Sequence, residues 1–372
     1  MDLTFTPAQQ ALRAEVREWL AANVPGRLPS MDTEEGFALH REWEAKLAAA
    51  RLSVISWPEE FGGRGADIVD WLVFEEEYWA SGAPGRVSQN GIFLLAPTIL
   101  AYGTSEQKAR FLPKMARGEE IWAQAWSEPE AGSDLASLRA TATRADGGWR
   151  LNGQKTWSSR AVFAHWGFGL FRSDPESQRH HGLTYYLFPL DAPGVTVRPI
   201  AQLDGEAGFA EIFFDDVFVP DDQVLGEIGK GWPVAMATTS SERGLTLRSP
   251  GRFLAVADRL LALAKDSADR TLQDAAVQAW LDADAYRLHT WAAVARLQEG
   301  VELGPSSSLM KVFWSELDLR LHEIALDLRG PDAALADPWL DGFLFALAGP
   351  IYAGTNEIQR NIIAERVLGM PR

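Results

Sequence analysis

Apolar residues at helical spacing dominate the first third of the chain. The first such run comprises Ala11, Leu12, Val16, Trp19 and Leu20. These positions fall on one face of a helix, and Thr6 and Pro7 stand directly before them, where an N-cap and a first-turn proline are favoured. The same pattern resumes at 68–78 and 94–102. It therefore predicts a helical region from residue 7 to about 120.

Short segments rich in β-branched and aromatic residues replace the helical pattern near residue 121. Glycine, proline and aspartate separate these segments, as is typical of strands joined by tight turns. They are found at 149–153, 184–188, 194–198 and 210–214. The pattern predicts a small antiparallel β-barrel or sandwich.

Helical patterning returns after residue 232. It extends over 252–265, 272–299 and 311–328, and a last helix is predicted from about 356 to 368. Helices followed by strands and again by helices favour a segregated α+β fold over a doubly wound sheet. We therefore predict an N-terminal helical domain at 1–120, a middle β-domain at 121–226 and a C-terminal helical bundle at 227–372.

The chain is acidic, with a net charge of −16 and a pI near 4.9. Such a surface repels nucleic acid and anionic lipid headgroups, so we expect neither as a partner. No cysteine occurs, which excludes disulfides and thiolate chemistry, and the six histidines are scattered, so we predict no metal site. No apolar leader or membrane-length apolar run occurs, and we expect a cytoplasmic protein without membrane insertion.

Candidate chemistry lies in three segments, since no dinucleotide, Walker, His-Glu-x-x-His or Gly-x-Ser-x-Gly motif occurs. The first, Gln-Ala-Trp-Ser-Glu-Pro-Glu-Ala-Gly-Ser-Asp at 124–134, joins a strand to a loop whose backbone N–H groups could bind a flavin edge or a pyrophosphate. Alone, it could equally be an ordinary Pro-Gly turn. The second, Asn-Gly-Gln-Lys-Thr-Trp-Ser-Ser at 152–159, is by itself a commonplace turn and strand. The third is Ile-Tyr-Ala-Gly-Thr-Asn-Glu-Ile-Gln-Arg at 351–360.

In this order, the three segments closely resemble the acyl-CoA dehydrogenase family. The middle domain of that family carries a Ser/Thr-Glu-Pro-x-Ala-Gly-Ser-Asp loop and an Asn-Gly-x-Lys-x-Trp strand. The resemblance covers nearly the whole chain, including 57–63 and 214–220, and is greatest to the larger subunits of bacterial heteromeric members. It implies an N-terminal helical domain, a middle antiparallel β-domain and a C-terminal four-helix bundle.

The resemblance implies FAD as the cofactor and places one group of contacts in the first segment. Gln124, Trp126 and Ser127 would line the isoalloxazine edge. Gly132 and Ser133 would face a phosphate of the flavin or of the substrate.

The other two segments supply the remaining contacts that the resemblance implies. Trp157 and Ser159 would shield the flavin and bond near its N5 atom. Thr355 and Glu357 would meet the cofactor from the last helix. The chain departs from the family pattern at 158–159, where Ile-Thr is frequent, and at Glu357, where glutamine is also seen.

Ala353 occupies the position at which the common form of the family carries its catalytic glutamate. Alanine cannot remove a proton, but it keeps the backbone N–H that would stabilise the developing enolate oxygen. Glu242 and Arg243 resemble the Glu-Arg pair that opens a helix in long-chain and isovaleryl-type members, where the glutamate is the base. We predict Glu242 as the base, and Arg243 with Ser133 as substrate contacts. The alternative is that the pair simply starts a helix, where the dipole favours an acidic residue.

The resemblance implies α,β-desaturation of an acyl-CoA thioester in lipid or steroid catabolism, with hydride transfer to the flavin. One alternative keeps the fold but changes the carrier or the acceptor, giving an acyl-ACP dehydrogenase or an acyl-CoA oxidase of a biosynthetic pathway. A second alternative is a non-catalytic flavin-site subunit, which the alanine at 353 favours.

Two family elements that reach a neighbouring subunit's FAD, Arg-x-x-Phe-Gly and Gln-x-x-Gly-Gly, do not occur at the corresponding 268–273 and 323–331. Their loss implies that a homologous second subunit completes the flavin site in a heterotetramer, with a homo-oligomer as the alternative. An electron-transfer flavoprotein is the expected electron acceptor.

Overall fold

The computed structural model describes residues 4–243, 249–301 and 303–371, without the side chains of 240–243. It divides the chain into two compact units. The helical unit comprises Met1–Val24, Asp67–Ala83 and Arg243–Arg372, and the mixed unit comprises Pro25–Ala66 and Pro84–Glu242. In the described part of the chain, no helix has the length and apolar character needed to cross a membrane.

The described residues form eleven α-helices and eight strands in the predicted order of helices, strands and helices. The helices are α1 (Pro7–Asn23), α2 (Glu34–Ala49), α3 (Ile68–Ala80), α4 (Ala96–Tyr102), α5 (Ser105–Ala116), α6 (Gly231–Arg243), α7 (Pro250–Ala264), α8 (Arg270–Gln298), α9 (Ser307–Arg329), α10 (Pro338–Ala346) and α11 (Asn356–Ile362). The strands are β1 (Trp122–Ala125), β2 (Thr141–Ala145), β3 (Gly148–Ser159), β4 (Trp166–Arg172), β5 (Leu183–Pro189), β6 (Val195–Ile200), β7 (Phe209–Pro220) and β8 (Val224–Leu225). The predicted α+β fold is confirmed.

Local sequence signals determine where α1 begins in the helical unit. The Thr6 side chain accepts a hydrogen bond from the Gln9 N–H, the Gln9 side-chain oxygen accepts one from the Thr6 N–H, and Pro7 opens the helix. Val16 and Leu20 lie on its fully buried face, as their spacing predicts.

Helices α7, α8 and α9 pack against one another, and α10 packs against α9, in the C-terminal part of the chain where a helical bundle is predicted. Helix α7 also lies against α3, where a side chain on Gly251 would come within 2.9 Å of the Glu75 carbonyl oxygen, so this approach requires glycine. In the core of the unit, the rings of Phe253 and Trp314 stack with centroids 6.0 Å apart and link α7 to α9.

The mixed unit is built on an eight-stranded sheet with the order β6-β7-β3-β2-β4-β5-β8, and β1 pairs with β4. Most neighbours are antiparallel, as predicted, but β4 is parallel to both β1 and β2, so the sheet is mixed. Its core is aromatic: Phe214 meets Phe171 and Phe188 edge to face at 5.1 and 5.0 Å.

Candidate active site

The first motif segment follows directly from the end of β1. Trp126 is buried there, and Glu128 and Ala131 exchange two backbone hydrogen bonds of 3.1 Å that close a tight turn. Gly132 and Ser133 come next and are exposed. The segment therefore presents a short exposed loop beside a buried tryptophan.

A buried ion pair between Lys155 and Glu128 stabilises this turn. Lys155 is fully buried, and its Nζ donates to Glu128 Oε1 at 2.8 Å, to the Leu170 carbonyl at 2.8 Å and to the Trp126 carbonyl at 3.3 Å. The Glu128 carboxylate accepts two further bonds from the backbone N–H groups of 139–140. Burial lowers the pKa of Lys155, and the Glu128 carboxylate opposes that change. All bonding capacity of the ammonium group is thereby used to fix the loop.

Strand β3 carries one extra residue between Lys155 and Ser158 relative to β7. At this bulge Trp157 has a φ of +58°, in the left-handed region that side chains rarely adopt. Its ring meets Phe209 edge to face at 5.9 Å, yet the residue remains 59% exposed. The bulge therefore turns a large aromatic side chain out of the sheet.

One backbone hydrogen bond joins the first two motif segments, because the Thr156 N–H donates to the Ser127 carbonyl at 2.8 Å. Gln124 and Ser159, which flank this contact along the chain, are half-buried. Ser158 is buried, and its Oγ has no hydrogen-bond partner among the described residues. The structure thus brings together the predicted contacts of these two segments in the mixed unit.

Glu242 and Arg243 are the last two residues of α6, and their side chains lie outside the described residues. Their helix begins at Gly231, so the interpretation that this pair opens a helix is wrong. Helix α6 is held in place by Thr238, which lies one turn before Glu242. Thr238 is fully buried, and its Oγ1 lies 2.8 Å from Thr98 Oγ1 and 3.3 Å from the Tyr185 hydroxyl.

The third segment forms a left-handed turn in the helical unit. Ala353 and Gly354 have φ values of +57° and +78°. Thr355 follows as the N-cap of α11 and accepts a hydrogen bond from the Ile358 N–H at 3.3 Å. Glu357 is exposed in the first helical turn, and hydrogen bonds from its own backbone and from Thr355 lower its pKa.

The beginning of α11 is anchored to α9 through Asn356, which is buried. Its Oδ1 accepts hydrogen bonds from the buried Lys311 Nζ at 2.7 Å and from Ser315 Oγ at 3.1 Å. Its backbone N–H donates to the Pro350 carbonyl at 2.8 Å. The segment from Pro350 to Asn356 is therefore closed into a fixed loop.

Sequence reasoning missed three polar residues that support these segments: Glu128, Lys155 and Gln359. The first two lie inside quoted motifs and carry opposite charges, a signal that could have paired them. For Gln359, no signal in the spacing indicates which groups its amide contacts. Across 4–243, 249–301 and 303–371, no group of three or more histidine and acidic side chains could hold a metal ion.

Three family models of known proteins match successive parts of the chain. Residues 6–119 match the acyl-CoA dehydrogenase N-terminal domain, residues 123–217 the middle domain and residues 229–368 the C-terminal domain. The acyl-CoA dehydrogenase IpdE1 of Mycobacterium tuberculosis is 42% identical over 98% of both chains.

Two solved structures have the same fold over the whole chain. One, described as the Tcur3481-Tcur3483 steroid ACAD, has a TM-score of 0.88 and 26% identity, covering 100% of both chains. The other, the ChsE4-ChsE5 complex from Mycobacterium tuberculosis, has a TM-score of 0.86 and 29% identity, also covering 100% of both chains. The chain belongs to the acyl-CoA dehydrogenase family, a class of enzymes whose cofactor is FAD.

Within the mixed unit, the residues of the first two segments fit a bound flavin. Trp126 Nε1 and Ser158 Oγ are buried atoms without a hydrogen-bond partner among the described residues, one in each of these two segments. Buried polar atoms normally have partners, so unpaired ones fit sites that receive a polar ligand. At Gly132, an added Cβ would meet no heavy atom within 4 Å, which leaves the loop open to close approach.

Proposed function

We propose that this protein catalyses the FAD-dependent α,β-desaturation of an acyl-CoA thioester, with Glu242 as the base. The observation that carries the proposal is the left-handed turn at Ala353 and Gly354. This turn persists although the residue at its centre has no carboxylate. Relocation of the base requires this combination, because the backbone N–H at 353 is still needed after the glutamate side chain is lost.

The proposed chemistry needs two protein groups. The α-proton of a thioester is weakly acidic, so its removal requires a base together with hydrogen bonds to the carbonyl oxygen, where negative charge develops. Glu242 would take the proton, and the Ala353 N–H would donate to that oxygen. FAD, when bound, supplies the acceptor for the hydride from the β-carbon.

The proposed FAD contacts are Gln124, Trp126, Ser127, Gly132, Ser133, Trp157, Ser159, Thr355 and Glu357. The exposed ring of Trp157 supports a role in covering one face of the flavin. The unpaired indole N–H of Trp126 supports a polar contact beside it. Ser133 and Arg243 are proposed to contact the substrate.

We propose a bulky acyl-CoA substrate of lipid or steroid catabolism, since one similar structure is described as a steroid acyl-CoA dehydrogenase. The rate of flavin reduction should be higher with a steroid side-chain acyl-CoA than with a straight-chain acyl-CoA. An electron-transfer flavoprotein is the proposed electron acceptor.

We also propose that a homologous second subunit completes the FAD site. At the two places where family elements for a neighbour's cofactor are missing, polar side chains bond locally. Asp269 caps α8, and Arg270 bonds Gln273 at 3.3 Å. Arg329 pairs with Asp337 at 3.0 Å. These local bonds at helix ends support the proposal that a second subunit supplies the missing cofactor contacts.

The substitution Glu242→Gln tests the assignment of the base. We expect it to slow flavin reduction by acyl-CoA by a factor of about 10²–10⁴, the usual effect of a positioned base, while FAD stays bound. Stopped-flow absorbance of the flavin under anaerobic conditions measures the rate. Glu227→Gln, which changes an exposed glutamate of the same unit, is the matched control and should react at the parental rate.

A Glu242→Gln variant that reduces its flavin as fast as the parent protein would show that another group is the base. The alanine at 353 also favours a second candidate, a non-catalytic subunit whose partner performs the reaction. In that case the complex would reduce flavin at the same rate with the parent chain and with the Glu242→Gln chain. Substitution of the partner's own base would abolish flavin reduction.

A further inference from the structure

The turn at Ala353 adopts a conformation that its own residue type opposes. For an L-residue other than glycine, the left-handed region is disfavoured by a factor of about 5–30. Ala353 nevertheless has a φ of +57°, and Gly354 follows at +78°. Something outside these two residues must therefore hold the turn, because the alanine alone would leave it.

The side chain of Gln359 contacts this turn. It lies on α11 and is fully buried. Its Nε2 donates to the carbonyl oxygen of Ala353 at 3.1 Å and to that of Gly354 at 3.3 Å. A carboxamide has two N–H donors, so one group can bond both carbonyls, whereas an ionised carboxylate of the same shape could bond neither.

The anchored carbonyls determine where the Ala353 N–H points. That N–H lies on the other side of the Ala353 Cα, so its direction relative to the carbonyl depends only on the backbone angles of Ala353. The helix that carries Gln359 is itself fixed, because Asn356 bonds Lys311 and Ser315 of α9. The direction of the N–H is therefore linked to the helical core through one amide side chain.

We propose that Gln359 is a positioning residue for the enolate-stabilising N–H of Ala353. It acts by holding the left-handed turn and does not touch the substrate. This inference rests on the proposed function, in which that N–H donates to the thioester carbonyl. Such a donor acts mainly in the transition state, so its displacement should lower kcat far more than it changes KM.

The test uses the holo-protein, co-expressed with its second subunit if the chain requires one. Gln359→Leu removes both N–H donors and keeps a side chain of similar volume. Gln359→Glu removes them and keeps the shape of the side chain. We expect either variant to lower kcat by about 10–10³-fold with KM changed less than about threefold. FAD content per chain should stay at the parental value.

A rescue experiment separates positioning from packing. Adding Ala353→Gly to Gln359→Leu should restore part of kcat, because glycine adopts the left-handed region without the penalty of alanine. A packing defect at Gln359 would not be repaired there. In chemical denaturation, the two substitutions should also be non-additive in their effects on unfolding.

Three results would overturn the inference: an unchanged kcat in both Gln359 variants, a loss of kcat that Ala353→Gly does not relieve, or additive effects on unfolding. Failure of the proposed function looks different, since the parent protein itself would then reduce no flavin with acyl-CoA. In that event the unfolding measurements alone still decide whether Gln359 holds the turn.

Discussion

Two residues of the candidate site, Trp157 and Ala353, hold backbone angles that side chains rarely adopt. Such strain persists only where the surroundings over-determine the conformation, and it often marks functional positions. At Trp157 a β-bulge enforces the strained angle, and at Ala353 a buried amide does so. In both cases, the conformation of a residue with a proposed functional role is fixed by neighbouring groups that take no part in the reaction.

The buried pair of Lys155 and Glu128 gives a prediction at the residue scale. Lys155→Met leaves the Glu128 carboxylate buried without its ammonium partner, so the free energy of unfolding should fall by about 3–5 kcal/mol. Guanidinium denaturation followed by circular dichroism measures this change. Because the pair also fixes the loop that carries Trp126, FAD affinity should fall as well.

Lys46→Met is the matched control for this experiment. Lys46 is exposed, and its substitution should change stability by no more than about 0.5 kcal/mol. Adding Glu128→Gln to Lys155→Met should recover part of the loss, because the buried unpaired charge is removed. If Lys155→Met were as stable as Lys46→Met, the pair would have no structural role.

At the scale of elements, the packing of α10 against α9 buries a histidine, since the rings of His322 and Trp339 lie 5.9 Å apart. His322 is buried, its Nδ1 lies 2.7 Å from the Asp318 carbonyl oxygen, and Arg252 bonds the Asp318 carboxylate at 2.9 Å. Burial lowers the pKa of His322, Asp318 opposes that shift, and Arg252 and Arg259 add to it. These surroundings of His322 therefore favour the neutral imidazole.

This burial predicts a pH dependence of stability. The unfolded chain binds a proton at His322 near pH 6.5, whereas the folded chain binds one only at lower pH. As the pH falls below about 6.5, His322 should therefore lower the free energy of unfolding by up to about 1.4 kcal/mol per pH unit, until the folded-state pKa is reached. His322→Phe should remove this part of the slope in urea denaturation between pH 5 and 8.

The exposed His289 on α8 provides the control, since His289→Phe should leave the slope unchanged. A His322→Phe variant with the full pH slope of the parent protein would contradict the assignment. His165 in the mixed unit, whose pKa is also lowered by partial desolvation and by the charge of Arg41, would account for acid sensitivity that remains in both variants.

At the scale of the whole molecule, oligomer formation is the property with the clearest consequence. The helical unit exposes large apolar side chains, among them Leu281 at 50%, Ile351 at 66% and Leu368 at 67%. Where such residues form a contiguous patch, they mark a site of contact with another chain. Together with the missing elements for a neighbour's cofactor, this exposure supports assembly with a second subunit.

We therefore expect the chain purified alone to bind FAD poorly and to gain it when assembled with a homologous subunit. A ligand that binds only the assembled state stabilises that state by mass action, so flavin affinity and association should rise together. Flavin absorbance per chain and mass in solution measure both, with the single chain in excess FAD as the control. A stable homo-oligomer with one tightly bound FAD per chain would refute the heteromer while leaving the enzyme class intact.

The sequence alone determined the features that depend on short stretches of chain. Helix starts such as Thr6 and Pro7, the order of helices and strands, and the three motif segments follow from local spacing and backbone preferences, which act over a few residues. The family, and with it the class of enzyme and its cofactor, followed from those segments. The three domain boundaries and the individual site contacts remain predictions.

Only the tertiary structure decided which distant groups meet. Lys155 and Glu128 are 27 residues apart, and their pairing depends on the register of β3 beside the loop after β1. The helices before residue 120 are shared between two units, which no local pattern reveals. Such contacts are set by the burial of whole faces, a property of the folded chain and not of any short segment.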